Sequence, residues 1–310
     1  MVIDRKASVT DQASDLRRMV ASISEEKKNI RRPGFLRSIA VVGGKGGVGK
    51  SNISVNLALA LGKMGQKVTL LDGDLGLANV DILMGIQAPY NLIHLVRGER
   101  SLDEILCDVG DGVSLIPGGT GIEELANLDE SAQSALINAL AELESFSDIM
   151  VVDTGAGIHR NMISFALSVD TVILVTTPEP TSIRDAYGLL KSLVFGTVGK
   201  LDVRVLVNMV SSEEEARSVA GRMRFAASQF LRVDLGYSGY VLTDSRLSDS
   251  VRARKPLIRF APRSDASECF RRIARTLMSE GGEDRSFDPG RGVKSLFFKL
   301  ARSLGVDRDR

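Results

Sequence analysis

Residues 43–51 read GGKGGVGKS, and this stretch limits the folds open to the chain more than any other. Five of its nine residues are glycine, too many for the interior of a helix or a strand. It follows a short apolar run, SIAVVG (38–43), and precedes an amphipathic stretch, 50–62. A strand, a glycine turn and then a helix bring several backbone N–H groups to one point at the helix's positive end, which is a seat for phosphate. Gly44-x4-Gly49-Lys50-Ser51 has the spacing of the P-loop, in the flanking context that the pattern requires. Gly44, Gly46, Gly47 and Gly49 let the backbone curl, with Val48 among them and Asn52 just beyond. Lys50 is expected to reach the β- and γ-phosphates of a nucleotide, and the Ser51 hydroxyl to ligate magnesium.

The rest of the chain keeps the same rhythm. Apolar runs at 67–72, 113–118, 149–153, 171–176 and 203–208 are rich in Val, Ile and Leu without strict alternation, as strands buried on both faces are. Helical patterns lie at 50–62, 130–145, 158–168, 181–195, 213–230 and 264–279. This order predicts an α/β fold, a doubly wound, mostly parallel sheet flanked by helices in three layers. The chain divides into a polar leader over 1–33, a P-loop domain over 34–280, and 281–310, where a linker bearing Gly and Pro leads into a last helix.

Composition removes several classes. The formal net charge of +1 supplies no global field toward nucleic acid or acidic membrane. Cys107 and Cys269 stand far apart and outside any CxxC pattern, which argues against a disulfide and for a reducing cytoplasm. There is no apolar core of a secretory signal, and no stretch reaches the roughly 18 apolar residues of a membrane span. His94 and His159 lack paired ligand spacing and read as ordinary loop residues.

Two further segments bring carboxylates toward the phosphate seat. LLDGDLGLANVD (70–81) puts Asp72 and Asp74 at a strand's carboxyl end, where open α/β sheets bind ligands. VVDTGAG (151–157) closes a buried strand with Asp153 and follows it with small residues. It looks like a Walker B and switch II segment, with Asp153 holding magnesium through water.

The loop has one cation more than phosphate binding needs. KGGVGKS (45–51), with a lysine ahead of the usual one, resembles the deviant Walker A loop of the MinD/ParA ATPases, and the resemblance extends over 38–279. It implies ATP and Mg2+ as ligands and a homodimer in the ATP-bound state. Lys45 of each subunit is then expected to cross to its partner's nucleotide, as an arginine finger does. Asp74 is expected to orient the attacking water, and Asp72 to hold magnesium or its waters. The resemblance gives Asn208, in VRVLVNMV, the adenine edge; no NKxD signature of GTPases is present. In TTPEPTSIRDAY (176–187) it leaves Asp185 as a candidate for the subunit interface.

Within that family, GDLGLANVDILMG (73–85) and TPEPTSIRDAY are most similar to the FlhG-type branch, which governs flagellar number and placement. Proteins of that branch carry a DQAxxLR leader, matched here by Asp11, Gln12, Ala13, Leu16 and Arg17. The resemblance implies that this leader docks on FlhF, a GTPase of the signal-recognition-particle type, and stimulates it, with Gln12 as the catalytic helper. The tail GVKSLFFKLARSLG (292–305) places Val293, Leu296, Phe297, Leu300 and Leu304 on one helical face, with Phe298 off it. This is similar to the branch's membrane-targeting helix, a weak and reversible anchor to the inner face of the cell membrane, at the pole or flagellar site. Flagellar switch-complex proteins or a flagellar transcription regulator are the other implied partners. A DNA-segregating ParA would need a strongly basic surface, and RARK (252–255) is a small cluster. An iron–sulfur carrier would need more cysteines, a metabolite ligase would lack the tail, and a MinD-like division regulator would lack DQASDLR.

Overall fold

The computed structural model describes residues 36–74, 79–119, 130–197 and 201–280, together with Leu296. Its strands are β1 (Arg37–Val42), β2 (Val68–Gly73), β3 (Cys107–Gly110), β4 (Val113–Ile116), β5 (Ile149–Thr154), β6 (Thr171–Thr176), β7 (Asp202–Val210) and β8 (Gly236–Leu242). They form one eight-stranded sheet in the order β3-β4-β2-β5-β1-β6-β7-β8. All neighbours run parallel except β3 and β4, which pair antiparallel at one edge. The longer helices are α1 (Lys50–Lys63), α2 (Glu130–Ala141), α3 (Arg160–Ser168), α4 (Pro180–Gly196), α5 (Glu213–Ala226), α6 (Ser245–Arg252) and α7 (Asp265–Glu280).

The central strands β2, β5 and β6 are buried at every position. That is why their sequences run apolar without alternation. Helix α1 lies between the sheet and α7 and is buried without a break from Ile53 to Gly62. A helix covered on both sides needs little polar face, which explains the NISVNLALALG composition. At Gly62 a Cβ would strike the Asp111 carbonyl, so the close packing of α1 on the loop before β4 depends on glycine there.

Parallel pairing puts the carboxyl ends of β1, β2, β5, β6 and β7 along one edge of the sheet. β1 lies between β5 and β6, where the two directions of winding part. Ligands of open α/β sheets bind at such a point, and β1 runs directly into residues 43–51 there.

The six expected strands are β1, β2, β4, β5, β6 and β7. The two outermost, β3 and β8, were not foreseen. Edge strands need less burial than central ones, so CDVG and GYSGYVL carry no continuous apolar run. The expected helix over 213–230 is α-helical to Ala226, continues as a π turn over Ala227–Leu231, and stops at Arg232 in the left-handed region. The one over 130–145 breaks after Ala141 and resumes as a short turn, Leu143–Phe146. His94 belongs to a short helix, Leu92–Val96, where it completes a capping box with Asn91. Cys107 and Cys269 are free thiols. No described helix is long and apolar enough to cross a membrane.

Candidate functional site

The P-loop is packed tightly behind and open in front. Gly47 and Gly49 take φ of +76° and +90°, conformations that favour glycine. A side chain at Gly44 would strike the backbone carbonyl of Asp185 in α4, and one at Gly49 would strike the Asn208 amide. On the other side, a Cβ at Gly47 would meet nothing, and one at Gly46 only the Ala156 Cβ at 3.9 Å. Neighbouring elements thus hold the loop from beneath while its backbone remains approachable, which is the form a phosphate cradle needs.

Lys50 begins α1 and is 7 % exposed. Burial pulls its pKa down, and the nearby charges of Asp153 and Asp74 oppose that shift. Asp153 is the penultimate residue of β5, at 1 % exposure. Its Oδ1 accepts from the Ser54 hydroxyl at 2.9 Å, and the Ser51 hydroxyl also bonds to it. The Asp74 carboxylate lies against the turn after β5, because a Cβ at Gly155 would sit 3.2 Å from its Oδ1. Lys50, Ser51, Asp74 and Asp153, drawn from α1, the turn after β2 and β5, therefore converge on one place. Asn52 is half-buried on the first turn of α1, where its carbonyl accepts from Asn56 Nδ2 at 2.8 Å.

Asp72, at the end of β2, is 2 % exposed, and its carboxylate accepts backbone N–H groups of Asp74, Asn79 and Val80. Asn208 is 3 % exposed, and its Nδ2 donates to the Val48 carbonyl at 2.8 Å, so its amide braces the P-loop from beneath. Lys45 pairs within its own chain: Nζ lies 3.0 Å from Glu179 Oε2, and the two side chains are 43 % and 64 % exposed. Asp185 pairs with the neighbouring Arg184 at 3.2 Å. The leader residues Asp11, Gln12, Ala13, Leu16 and Arg17 lie outside the described residues, as do Val293, Phe297, Leu300 and Leu304 of the tail. Leu296 is helical and 1 % exposed, within the core cluster.

Two contributors were missed in the sequence. Ser54 shares Asp153 with Ser51 and lies one helical turn further along α1, a spacing that was available to find it. Glu179 stands inside the TPEP segment, but nothing in its local pattern pairs it with a loop 134 positions away.

Among the described residues, no group of three or more His, Cys, Asp or Glu side chains is placed to hold a metal by itself. One carboxylate beside a P-loop serine suits magnesium that takes its other ligands from phosphate and water. The donor set therefore fits a magnesium–nucleotide complex.

Asp72 and Asp153 make stability depend on pH. Burial, then the charge of Asp153, raises the Asp72 pKa from 3.8 to about 7. Burial raises that of Asp153 from 3.8 to about 6, against the serine hydrogen bonds and Lys50. Both groups hold protons more tightly when folded. Their contribution to stability is complete below the unfolded value and is lost as pH rises through the folded ones. Relative to Asp153→Asn, the nucleotide- and metal-free parent chain is expected to lose stability in thermal unfolding from about pH 4 to about pH 7. Parallel profiles for the two chains would contradict the burial argument.

A family profile described as "ParA: NUBPL iron-transfer P-loop NTPase" matches residues 35–278. The chain is 40 % identical over 241 residues to the antiactivator FleN of Pseudomonas aeruginosa, covering 78 % of this chain and 86 % of that protein. It is 37 % identical over 299 residues to the flagellum site-determining protein YlxH of Helicobacter pylori, covering 96 % of this chain and all of the other. Its fold is similar to that of the septum site-determining protein MinD of Pyrococcus horikoshii, solved with Mg-ADP. The TM-score is 0.64 at 24 % identity, covering 80 % of this chain and 98 % of that one.

Proposed function

The chain belongs to the MinD/ParA family of P-loop ATPases, in its FlhG/FleN branch, and from that premise we propose that it works as an ATP-gated dimerising switch. Its broad function is that of a flagellar-placement ATPase of the MinD/ParA type, using nucleotide and Mg2+. In the proposed cycle, ATP binds with its phosphates on residues 44–51, and two subunits close face to face. Lys50 holds the β- and γ-phosphates of its own nucleotide, and Lys45 reaches the γ-phosphate of the partner's. Asp74 orients water in line with the γ-phosphorus. The water oxygen bonds to phosphorus as the bond to the β–γ bridging oxygen breaks; ADP keeps that oxygen and the bonding pair, and the water proton passes to the released phosphate. Ser51 would hold magnesium directly and Asp153 would hold it through water, and the ion would supply charge neutralisation to phosphoryl transfer. Turnover is slow and returns the subunits to monomers.

The observation that carries this reading is the position of Lys45. Its ion pair with Glu179 is exposed on both sides, and such pairs are worth roughly 0–1 kcal/mol. Lys45 therefore leaves its own chain at little cost when a triphosphate is offered by a second copy. Light scattering of the full chain tests this: a dimer with ATP and Mg2+, and a monomer with ADP. A monomer under both conditions would reject the switch.

The leader and tail have roles of their own in this proposal. Residues 11–17 dock on an FlhF-type GTPase of the signal-recognition-particle class, and Gln12 assists its GTP hydrolysis. Binding orders a short helix, at an entropy cost offset by burial of Ala13 and Leu16. The tail holds the ATP dimer to the inner face of the cell membrane at the pole or flagellar site. One tail is a weak anchor, so two copies are needed. Flagellar switch-complex proteins or a flagellar transcription regulator read out the dimer. A synthetic 1–30 peptide is expected to raise GTP turnover of the FlhF-type GTPase on the order of 10²-fold, the lower end of the range for a positioned catalytic group. The Gln12→Ala peptide should bind without stimulating. Equal stimulation by both peptides would remove the role given to Gln12.

A further inference from the structure

Asp72 is expected from the sequence to hold magnesium or its waters, yet its hydrogen bonds serve another purpose. Oδ1 accepts from the Asp74 N–H at 3.2 Å. Oδ2 accepts from the N–H groups of Asn79 at 3.1 Å and Val80 at 3.2 Å. The first donor belongs to the residue whose carboxylate orients water. The other two begin the short helix Val80–Met84, whose N-cap Asn79 makes no side-chain cap bond. One buried carboxylate thus holds both the Asp74 backbone and the start of the Val80–Met84 helix.

The surroundings leave it little other use. A Cβ at Gly118 would sit 2.6 Å from the Asp72 carbonyl and 3.0 Å from its Cγ, so the backbone leaving β4 packs directly on this residue. Its in-register neighbour Asp153 turns instead to the hydroxyls of Ser51 and Ser54. The two aspartates at adjacent strand ends divide the labour. Asp153 serves the P-loop, and Asp72 serves the chain after β2.

The geometry points to Asp72 as a positioning residue for hydrolysis: it holds the Asp74 backbone and the start of the Val80–Met84 helix so that the Asp74 side chain stays against Gly155. This rests on the reading of Asp74 as the residue that orients water. A carboxylate suits the task because, when ionised, both of its oxygens accept, and charge-assisted bonds are about twice as strong as neutral ones. An amide in its place would turn one acceptor into a donor facing an N–H.

The test compares full-length Asp72→Asn with the parent chain. It measures kcat per nucleotide-occupied site, KM for ATP, the Mg2+ concentration for half-maximal turnover, and backbone amide exchange without nucleotide. Expected are a kcat lower by roughly 10- to 100-fold, since small misplacements of catalytic groups cost that much, and KM and Mg2+ requirements within about twofold. The amides of Asp74, Asn79 and Val80 should exchange on the order of tenfold faster while those of β1 and β5 keep their protection. A Mg2+ requirement raised tenfold or more, with those three amides unchanged, would overturn the proposal and return Asp72 to the metal. An unchanged kcat per occupied site would also overturn it. Should Asp72→Asn loosen the whole sheet, Asp72→Glu gives the reading, because it keeps the charge and displaces it by one methylene. Lowered kcat with faster exchange at the three amides supports the proposal, and parental kcat in that variant refutes it. A parent chain that hydrolyses no ATP would defeat the proposed function, whereas the exchange measurement needs no nucleotide and still reads the hold of Asp72.

Discussion

Lys45→Ala is expected to reduce ATP turnover by roughly 10³-fold, the lower end of what an intermolecular cation supplies to phosphoryl transfer. Binding of ATP should change little. In the proposed cycle the phosphates are held by backbone N–H groups of residues 44–51, by the start of α1 and by Lys50, and the substitution leaves these groups in place. Folding should be as insensitive, because the substitution removes little beyond the exposed pair with Glu179. The effect is therefore expected in kcat and in the fraction of dimer, with the affinity of the monomer for ATP retained. Single-turnover phosphate release, nucleotide titration and light scattering on one preparation separate these quantities. A Lys45→Ala chain that dimerises and hydrolyses like its parent would make the lysine a surface residue and remove the intermolecular mechanism. Mixing Lys45→Ala with Asp74→Ala sharpens the point. In the mixed dimer, one site pairs an intact Asp74 with a lysine from the other chain, so part of the missing turnover should return.

The fold and the P-loop were legible because a few physical constraints act locally. A strand buried on both faces must be apolar throughout, so β1, β2, β5, β6 and β7 show in the sequence. A phosphate cradle needs glycine at positive φ, and Gly47 and Gly49 supply it within a few residues. β3 and β8 were hidden because an edge strand is under neither constraint. The site was legible in its composition and less so in its contacts. Lys50, Ser51, Asp74 and Asp153 were each found from a strand end or a loop pattern, and the topology brings them together. The pairings that cross the sequence were not readable. Asn208 reaches back 160 positions to Val48, and Glu179 reaches Lys45 because α4 starts beside the P-loop. Asp72 shows the same limit within a short span. A DGD segment at a strand end announces two carboxylates, but that Asp72 is the one bound to the chain after β2 depends on the backbone of residues 79 and 80.

Asp74→Ala is the second change with a large expected effect, and it acts in the opposite direction on assembly. Turnover should fall by roughly 10²- to 10⁴-fold, the range spanned by positioned acid–base and water-orienting groups. The dimer should accumulate, because hydrolysis is the step that resets it in the proposed cycle. ATP affinity has no reason to fall: Lys50 and the loop are intact, and one negative charge beside the phosphates is removed, which favours anion binding. The backbone is expected to stay in place, since the Asp72 carboxylate accepts from the residue's N–H whatever its side chain. With ATP and Mg2+, gel filtration should therefore show Asp74→Ala as a long-lived dimer where the parent chain cycles. Flotation with vesicles of anionic phospholipid should recover more of the variant than of the parent, because two tails are held together for longer. The two variants together discriminate between mechanisms. Lys45→Ala should be a monomer that binds ATP, and Asp74→Ala a dimer that keeps it. If Asp74→Ala with saturating ATP remained a monomer, nucleotide binding and pairing would be separate events, and the switch read from Lys45 would fail.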